Sequence, residues 1–236
     1  MLPQRWKRAG QVLFFVATVA AVTAAALRYR HAATAPAWCD DCSVTTEVTE
    51  KGTLTYRSGT TLGLSNHYLL EQHFLREEGT LRLTGRVEKG ALFDERLRGL
   101  VSGDRFDRSF TAVPAGDRCP VAVSPLYPMA LRRFFYALPS RPVFPGQVWR
   151  IDFCDGRFSC RYEIDTVRGS DFSFAADCAG ALPEGLSVTL LARLSFRADP
   201  GLIDRAEATI RAVQGPVDAQ WDIAERAATA GATDSR

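Results

Sequence analysis

From Ser43 onward the dominant spacing of apolar residues is two, the period of a strand with one buried face. Val188, Leu190, Ala192, Leu194 and Phe196 alternate with Thr189, Leu191, Arg193 and Ser195. The same alternation runs through Trp149, Ile151 and Phe153, and through Phe158, Cys160, Tyr162 and Ile164. It continues in Phe172, Phe174, Ala176 and Cys178, and in Val217, Ala219, Trp221 and Ile223. Earlier strands are expected over 43–51, 53–57, 66–77, 80–88, 91–100 and 105–113. Turn residues separate them: Lys51-Gly52, Glu78-Gly79, Lys89-Gly90, Ser102-Gly103-Asp104, Asp155-Gly156, Arg168-Gly169-Ser170 and Asp199-Pro200-Gly201. Short strands on tight turns imply an antiparallel meander, because parallel neighbours need long crossovers.

One segment departs from this period. Leu126, Ala130, Leu131, Phe134, Phe135 and Leu138 fall at helical spacing, with Pro125 and Pro128 near the start and Pro139 at the end. Arg132 and Arg133 would occupy the polar face. The expected fold is mainly β, a strongly curved antiparallel sheet or open barrel with one central amphipathic helix. At 236 residues the chain can bury roughly 70% of its unfolded surface in a single core.

An N-terminal transmembrane helix is expected in addition. Ala9 to Leu27 carries no charge, and its only polar side chains are Gln11, Thr18 and Thr23. A helix over this run is about 28 Å long, close to the hydrocarbon thickness of a bilayer. A cleaved signal peptide is the alternative, but its apolar region is shorter and each small-x-small site here is poorly placed. Ala24-Ala25-Ala26 leaves Leu27-Arg28 leading the product, Ala33-Thr34-Ala35 puts Pro36 first, and Ala35-Pro36-Ala37 lies far from the run. The favoured reading is an uncleaved signal-anchor. The residues before Cys39 are Ala35, Pro36, Ala37 and Trp38, which is no lipid-attachment pattern.

The formal charge of +2 divides unevenly. Arg5, Lys7, Arg8, Arg28 and Arg30 precede Cys39 with no acidic residue among them. Taking these five from the 29 basic residues leaves 24 against 27 acidic ones, so the remainder is about −3. Basic residues beside the span weakly favour an N-terminus inside. All six cysteines follow the span, an even number that suits an oxidising compartment. The chain therefore reads as a bacterial inner-membrane protein, single-pass through residues 9–27, with its C-terminal domain in the periplasm. Secretion after cleavage is the alternative. The segments are a signal-anchor over 1–31, a linker over 32–42, a β domain over 43–226 and a disordered tail over 227–236.

Cys160 and Cys178 each lie nine residues from Gly169. A three-residue loop, Arg168 to Ser170, would set them opposite each other for a cross-strand disulfide. The rival pairs Cys154 with Cys160. If Asp155-Gly156 turns tightly, Phe153 faces Phe158 and Cys154 points away from the core, free for Cys119. Six cysteines allow fifteen connectivities, so the pairing stays open. In Trp38-Cys39-Asp40-Asp41-Cys42 the pair is expected to be a structural disulfide; a redox dithiol is the sharper alternative. Two carboxylates between the thiols and a following strand argue against the dithiol.

His67, Glu71 and His73 share one strand parity, but neighbours on that face are about 7 Å apart, so no zinc site or other metal is expected. The sequence has no Gly-x-Ser-x-Gly, Walker loop, dinucleotide fingerprint or His-Glu-x-x-His. Acidic residues read as scattered over turns and solvent-facing strand positions. No catalytic residue and no cofactor is expected, and a slightly acidic ectodomain makes nucleic acid an unsuitable partner.

Leu138-Pro139-Ser140-Arg141-Pro142-Val143-Phe144-Pro145-Gly146-Gln147-Val148-Trp149 resembles a stretch of several bacterial envelope proteins whose sheets are similar to the lipoprotein-carrier (LolA/LolB-like) open barrels. The segment from Phe196 to Ala208, with its Asp199-Pro200-Gly201-Leu202-Ile203 turn, is similar to the strand-turn-strand that follows in them. The likeness covers Leu126 to Ile223. The apparent anchor and the added cysteines depart from that pattern, so a shuttling role does not carry over. Together these features imply a non-enzymatic binding module for a lipid, lipoprotein or other apolar envelope component. Its expected cavity lining is Phe134, Phe135, Tyr136, Trp149, Phe174 and Trp221. The alternatives are an assembly factor binding an envelope protein, and a thiol oxidoreductase using Cys39 and Cys42.

Overall fold

The computed structural model describes residues 14–20, 22–23, 32–39, 41–77, 80–94, 99–102, 109–112, 119 and 128–228. Most of the expected 9–27 span and of the 227–236 tail lies outside them, as do the turns at 78–79 and 103–104. Residues 14–20 and 22–23 are helical. Among the described residues, no helix is long and apolar enough to cross a membrane.

Among the described residues, eleven strands form one antiparallel sheet. They are β1 (Cys42–Tyr56), β2 (Thr61–Glu77), β3 (Thr80–Asp94), β4 (Gly99–Ser102), β5 (Ser109–Ala112), β6 (Val148–Phe153), β7 (Phe158–Arg168), β8 (Asp171–Leu182), β9 (Leu186–Arg197), β10 (Leu202–Gln214) and β11 (Val217–Ala227). The order is β4-β3-β2-β1-β11-β10-β9-β8-β7-β6, with β5 also on β3, and the sheet is not closed. Two sequential meanders, β1–β5 and β6–β11, are spliced where the first strand pairs with the last along its length, Thr46 against Ala227 through Tyr56 against Val217. A 3-10 helix (Pro128–Tyr136) lies between the meanders in the chain.

Several expectations are corrected. Lys51-Gly52 and Lys89-Gly90 are not turns, since both sit inside continuous strands. Gly52 pairs with Trp221, where a Cβ would overlap the indole, so this glycine admits a ring and bends nothing. The first strand begins at Cys42, and Ala227 belongs to the last, with Ala228 N–H donating to Thr45 O. The segment over 32–42 is more than a linker. Ala33 is buried and exchanges backbone hydrogen bonds with Val143, and Cys39 N–H donates to Gly201 O. A side chain at Gly201, which has φ +87°, would strike this strap.

The helix also differs from the expected amphipathic one. At three residues per turn, Leu131 and Phe134 share one row, Arg132 and Phe135 a second, and Tyr136 lies on the third; all five are buried, so Arg132 is enclosed where the apolar spacing implied a polar face.

Cys160 does lie opposite Cys178, by a different route from the three-residue loop. Arg168 pairs with Asp171, leaving a two-residue turn that alone would set Cys160 against Ala179. A bulge between Ile164 and Thr166 takes up the extra residue and restores the register.

Candidate functional site

The strand residues of buried parity and the buried side of the 3-10 helix meet on one face of the sheet. The helix is held there by side chains. Tyr162 Oη donates to Phe134 O (2.9 Å), Trp149 Nε1 to Ala137 O (3.0 Å), and Gln72 Nε2 to Tyr136 Oη (2.8 Å). This covered face has two parts of different chemistry.

Between β6 and β10 it is filled with rings. Phe134 packs against Phe158 and Phe153, with centroids 4.6 and 4.9 Å apart. Trp149 stacks on Tyr162 at 5.1 Å and lies 6.2 Å from Phe174, and Phe172 stacks on Phe196 at 4.9 Å. Five of the six cavity candidates, Phe134, Phe135, Tyr136, Phe174 and Trp221, are fully buried, and Trp149 is half-buried. All six pack within the covered face. Burial raises the Tyr162 hydroxyl far above the usual phenol range.

Across β11, β1 and β2 the same face is polar. Thr46 and Glu50 from β1, Asn66, Tyr68 and Gln72 from β2, and Glu225 from β11 are all buried. Glu50 accepts from Tyr68 Oη (2.6 Å) and Asn66 Nδ2 (3.0 Å), and Thr46 Oγ1 donates to Gln72 Oε1 (3.4 Å). Arg132, 0% exposed, donates through Nη2 to Glu225 Oε2 (2.5 Å). Its Nε and Nη1 have no hydrogen-bond partner, and neither does Glu225 Oε1. Burial and the charge of Glu50 outweigh the Arg132 guanidinium and push the Glu225 carboxyl up to about 7. Burial pushes Tyr136 up to about 12, with Arg132 opposing, and it raises Tyr68 well above its ordinary value with Glu50 adding to the effect. Burial acts to lower the Arg132 guanidinium, but Glu225 and the two tyrosines hold it above its ordinary value.

Of these residues the sequence singled out Tyr136 as cavity lining and Arg132 as part of the helix's polar face, and Glu50 and Glu225 correct the reading of acidic residues as solvent-facing. The signal was present in parity. Glu50 falls in register with Val44 and Val48, Asn66 and Gln72 with Leu64 and Leu70, and Glu225 with Trp221 and Ile223.

Three disulfides join Cys39 to Cys42, Cys119 to Cys154 and Cys160 to Cys178. Cys154 is buried at the end of β6 and does not point away from the core. The loop closed by Cys39 and Cys42 follows Trp38, which packs among Phe74, Tyr136 and Phe196 at 6.0, 5.4 and 5.4 Å. Trp38 is half-buried, so a file of contacts runs from solvent through Trp38 and Tyr136 toward the polar part.

His67 and His73 lie on the opposite, open face and are engaged separately, His67 with Thr49 and Glu47, and His73 with Ser43 and Asp41. Among the described residues, no group of three His, Cys, Asp or Glu side chains could hold a metal ion. A cleft of about 480 Å³ over β8–β11 is lined by residues of both parities, the buried Ala176, Ala192, Ala208 and Ile223 and, from the opposite parity, residues that include Leu191, which is 56% exposed. Compared with models of known protein families and with curated proteins, the sequence gives no match.

Proposed function

We propose that the chain is a membrane-anchored, non-enzymatic binding module of the bacterial cell envelope, which takes an apolar or amphipathic envelope component on the covered face of its sheet. The observation that carries this reading is the division of that face: aromatic rings line one part, and a buried polar cluster lies beside them under the same helix. An amphipathic molecule needs both environments next to each other. Among the described residues, the cover includes a nine-residue helix and the strap that carries Trp38.

A strongly curved sheet is supported by reach. Tyr136 is hydrogen-bonded to Gln72 on β2, and its neighbour Ala137 to Trp149 on β6. Seven strand spacings separate β2 from β6, about 34 Å in a flat sheet, farther than two adjacent residues can reach through their side chains. The membrane anchor rests on the uncharged run from Ala9 to Leu27, and the periplasmic placement on six cysteines joined as three disulfides.

Organic extraction of the full-length protein purified from its native membrane tests the reading. About one apolar or amphipathic molecule per chain is expected by mass spectrometry; a preparation repeatedly free of any such molecule overturns it. Leu191, 56% exposed on the open face, favours a second reading, docking of an envelope protein there. In that case Leu191→Lys disperses a stoichiometric complex that the wild type retains, while the extracted lipid is unchanged.

A further inference from the structure

Arg132 has five N–H donors, and three of them, on Nε and Nη1, are buried without an acceptor, while the buried Oε1 of Glu225 lacks a donor. A buried polar atom left without a partner is costly, so four such bonding positions on one ion pair mark a place where something else bonds. Tyr136 lies beside Arg132 without a well-aligned hydrogen bond and does not fill the gap. Resting on the reading of an amphipathic ligand, we propose that Arg132 and Glu225 hold the head group of that ligand, and that this head group is uncharged and hydroxylated, as in a monoacylglycerol.

Charge and bonding capacity select that chemistry. Among the described residues the cluster contains two carboxyl groups, Glu50 and Glu225, and one guanidinium, Arg132. An anionic head would add further negative charge to this buried group of two carboxyls. A cationic ammonium head offers no acceptor to the three donors of Arg132. A hydroxyl both accepts and donates, so a diol satisfies Arg132 and Glu225 Oε1 together without adding charge. The neighbouring rings take the acyl chain. Half-buried Trp38, packed on Tyr136, is the solvent-side end of the path.

The test uses the full chain in phosphatidylcholine nanodiscs, equilibrated separately with 1-monooleoylglycerol, oleate, 1-octadecene or glycerol. Retained ligand is counted by native mass spectrometry, and the same titrations are made on Glu225→Gln and on Arg132→Met/Glu225→Leu. The double variant removes the ion pair as a unit, which keeps the buried charge tolerable for folding. The expected result is that monooleoylglycerol is retained at least about tenfold more tightly than oleate or octadecene, that Glu225→Gln weakens its retention less than the double variant does, and that the double variant loses the preference. Equal retention of the three chains, or a preference that survives in the double variant, overturns this assignment and leaves the amphipathic reading standing. Retention of none of the three overturns that reading itself. Displacement of monooleoylglycerol by equimolar glycerol assigns the site to a free polyol and overturns the lipid.

Discussion

The two parts of the covered face are built by the same alternation of side chains and held together by opposite means. Between β6 and β10 the rings of Phe134, Phe153, Phe158, Tyr162 and Phe174 exclude water, and each contributes through area and shape. Across β11, β1 and β2, Glu50, Asn66, Tyr68, Gln72, Arg132 and Glu225 are just as buried, yet each is tolerated only because of its partners. The difference teaches that parity decides what is inside, while pairing decides what being inside costs. A loss in the ring-filled part should therefore scale with the volume removed, and a loss in the polar part should depend on what is left behind.

The sharpest test of that contrast is Arg132→Ala, which strands the buried carboxyl of Glu225 and should cost about 3–5 kcal/mol in urea unfolding. The charge-removing double variant Arg132→Met/Glu225→Leu should recover most of that loss, because the penalty belongs to the unpaired charge. A single variant that costs little would break the comparison. Phe134→Ala should cost about 3–4 kcal/mol by the same measurement, through the cavity it leaves between Phe153 and Phe158. No second substitution that alters charge should rescue it.

Cys160→Ala/Cys178→Ala opens an 18-residue loop on the ring-filled side and should lower stability by about 3 kcal/mol under oxidising conditions. Under strong reductant the variant and the wild type should converge.

Glu225 makes the polar part sensitive to pH. Its carboxyl, facing Arg132 from the helix, Glu50 from β1 and Tyr68 from β2, stands at about 7, above its ordinary 4.5. The folded state thus holds the proton more tightly than the unfolded chain does. The stabilisation from this group is complete below about pH 4.5 and is lost as pH rises through about 7. Melting temperature should fall between pH 5 and pH 8, and Glu225→Gln should flatten that fall. The smallest effect is expected from Tyr136→Phe, which removes the acceptor of Gln72 and should cost about 1 kcal/mol.

Much of the sheet was legible because strand parity is local. The buried positions of β7, β8 and β9 follow directly from alternation, and so does the facing of Phe153 and Phe158 across the Asp155-Gly156 turn. Glycine was read less well, because a glycine that admits a ring looks in sequence like one that makes a turn; Gly52 shows its purpose only when Trp221, far along the chain, is placed opposite it. The rings of the proposed site were legible as apolar residues of the right parity. Arg132 was not, since its burial beside Glu225 is a contact across 93 residues that the apolar spacing does not reveal.

By itself, the sequence determined that the chain is mainly β, which side chains share a face, and where the turns at 155–156, 168–170 and 199–201 fall. These properties depend on neighbours two to four residues apart, a range over which backbone geometry and side-chain period are fixed. Only the tertiary structure decided that β1 joins β11, that the strap lies against the sheet and that Arg132 meets Glu225. Those contacts span tens to nearly two hundred residues, and their partners are selected by which buried groups can satisfy one another, a condition that no local window contains.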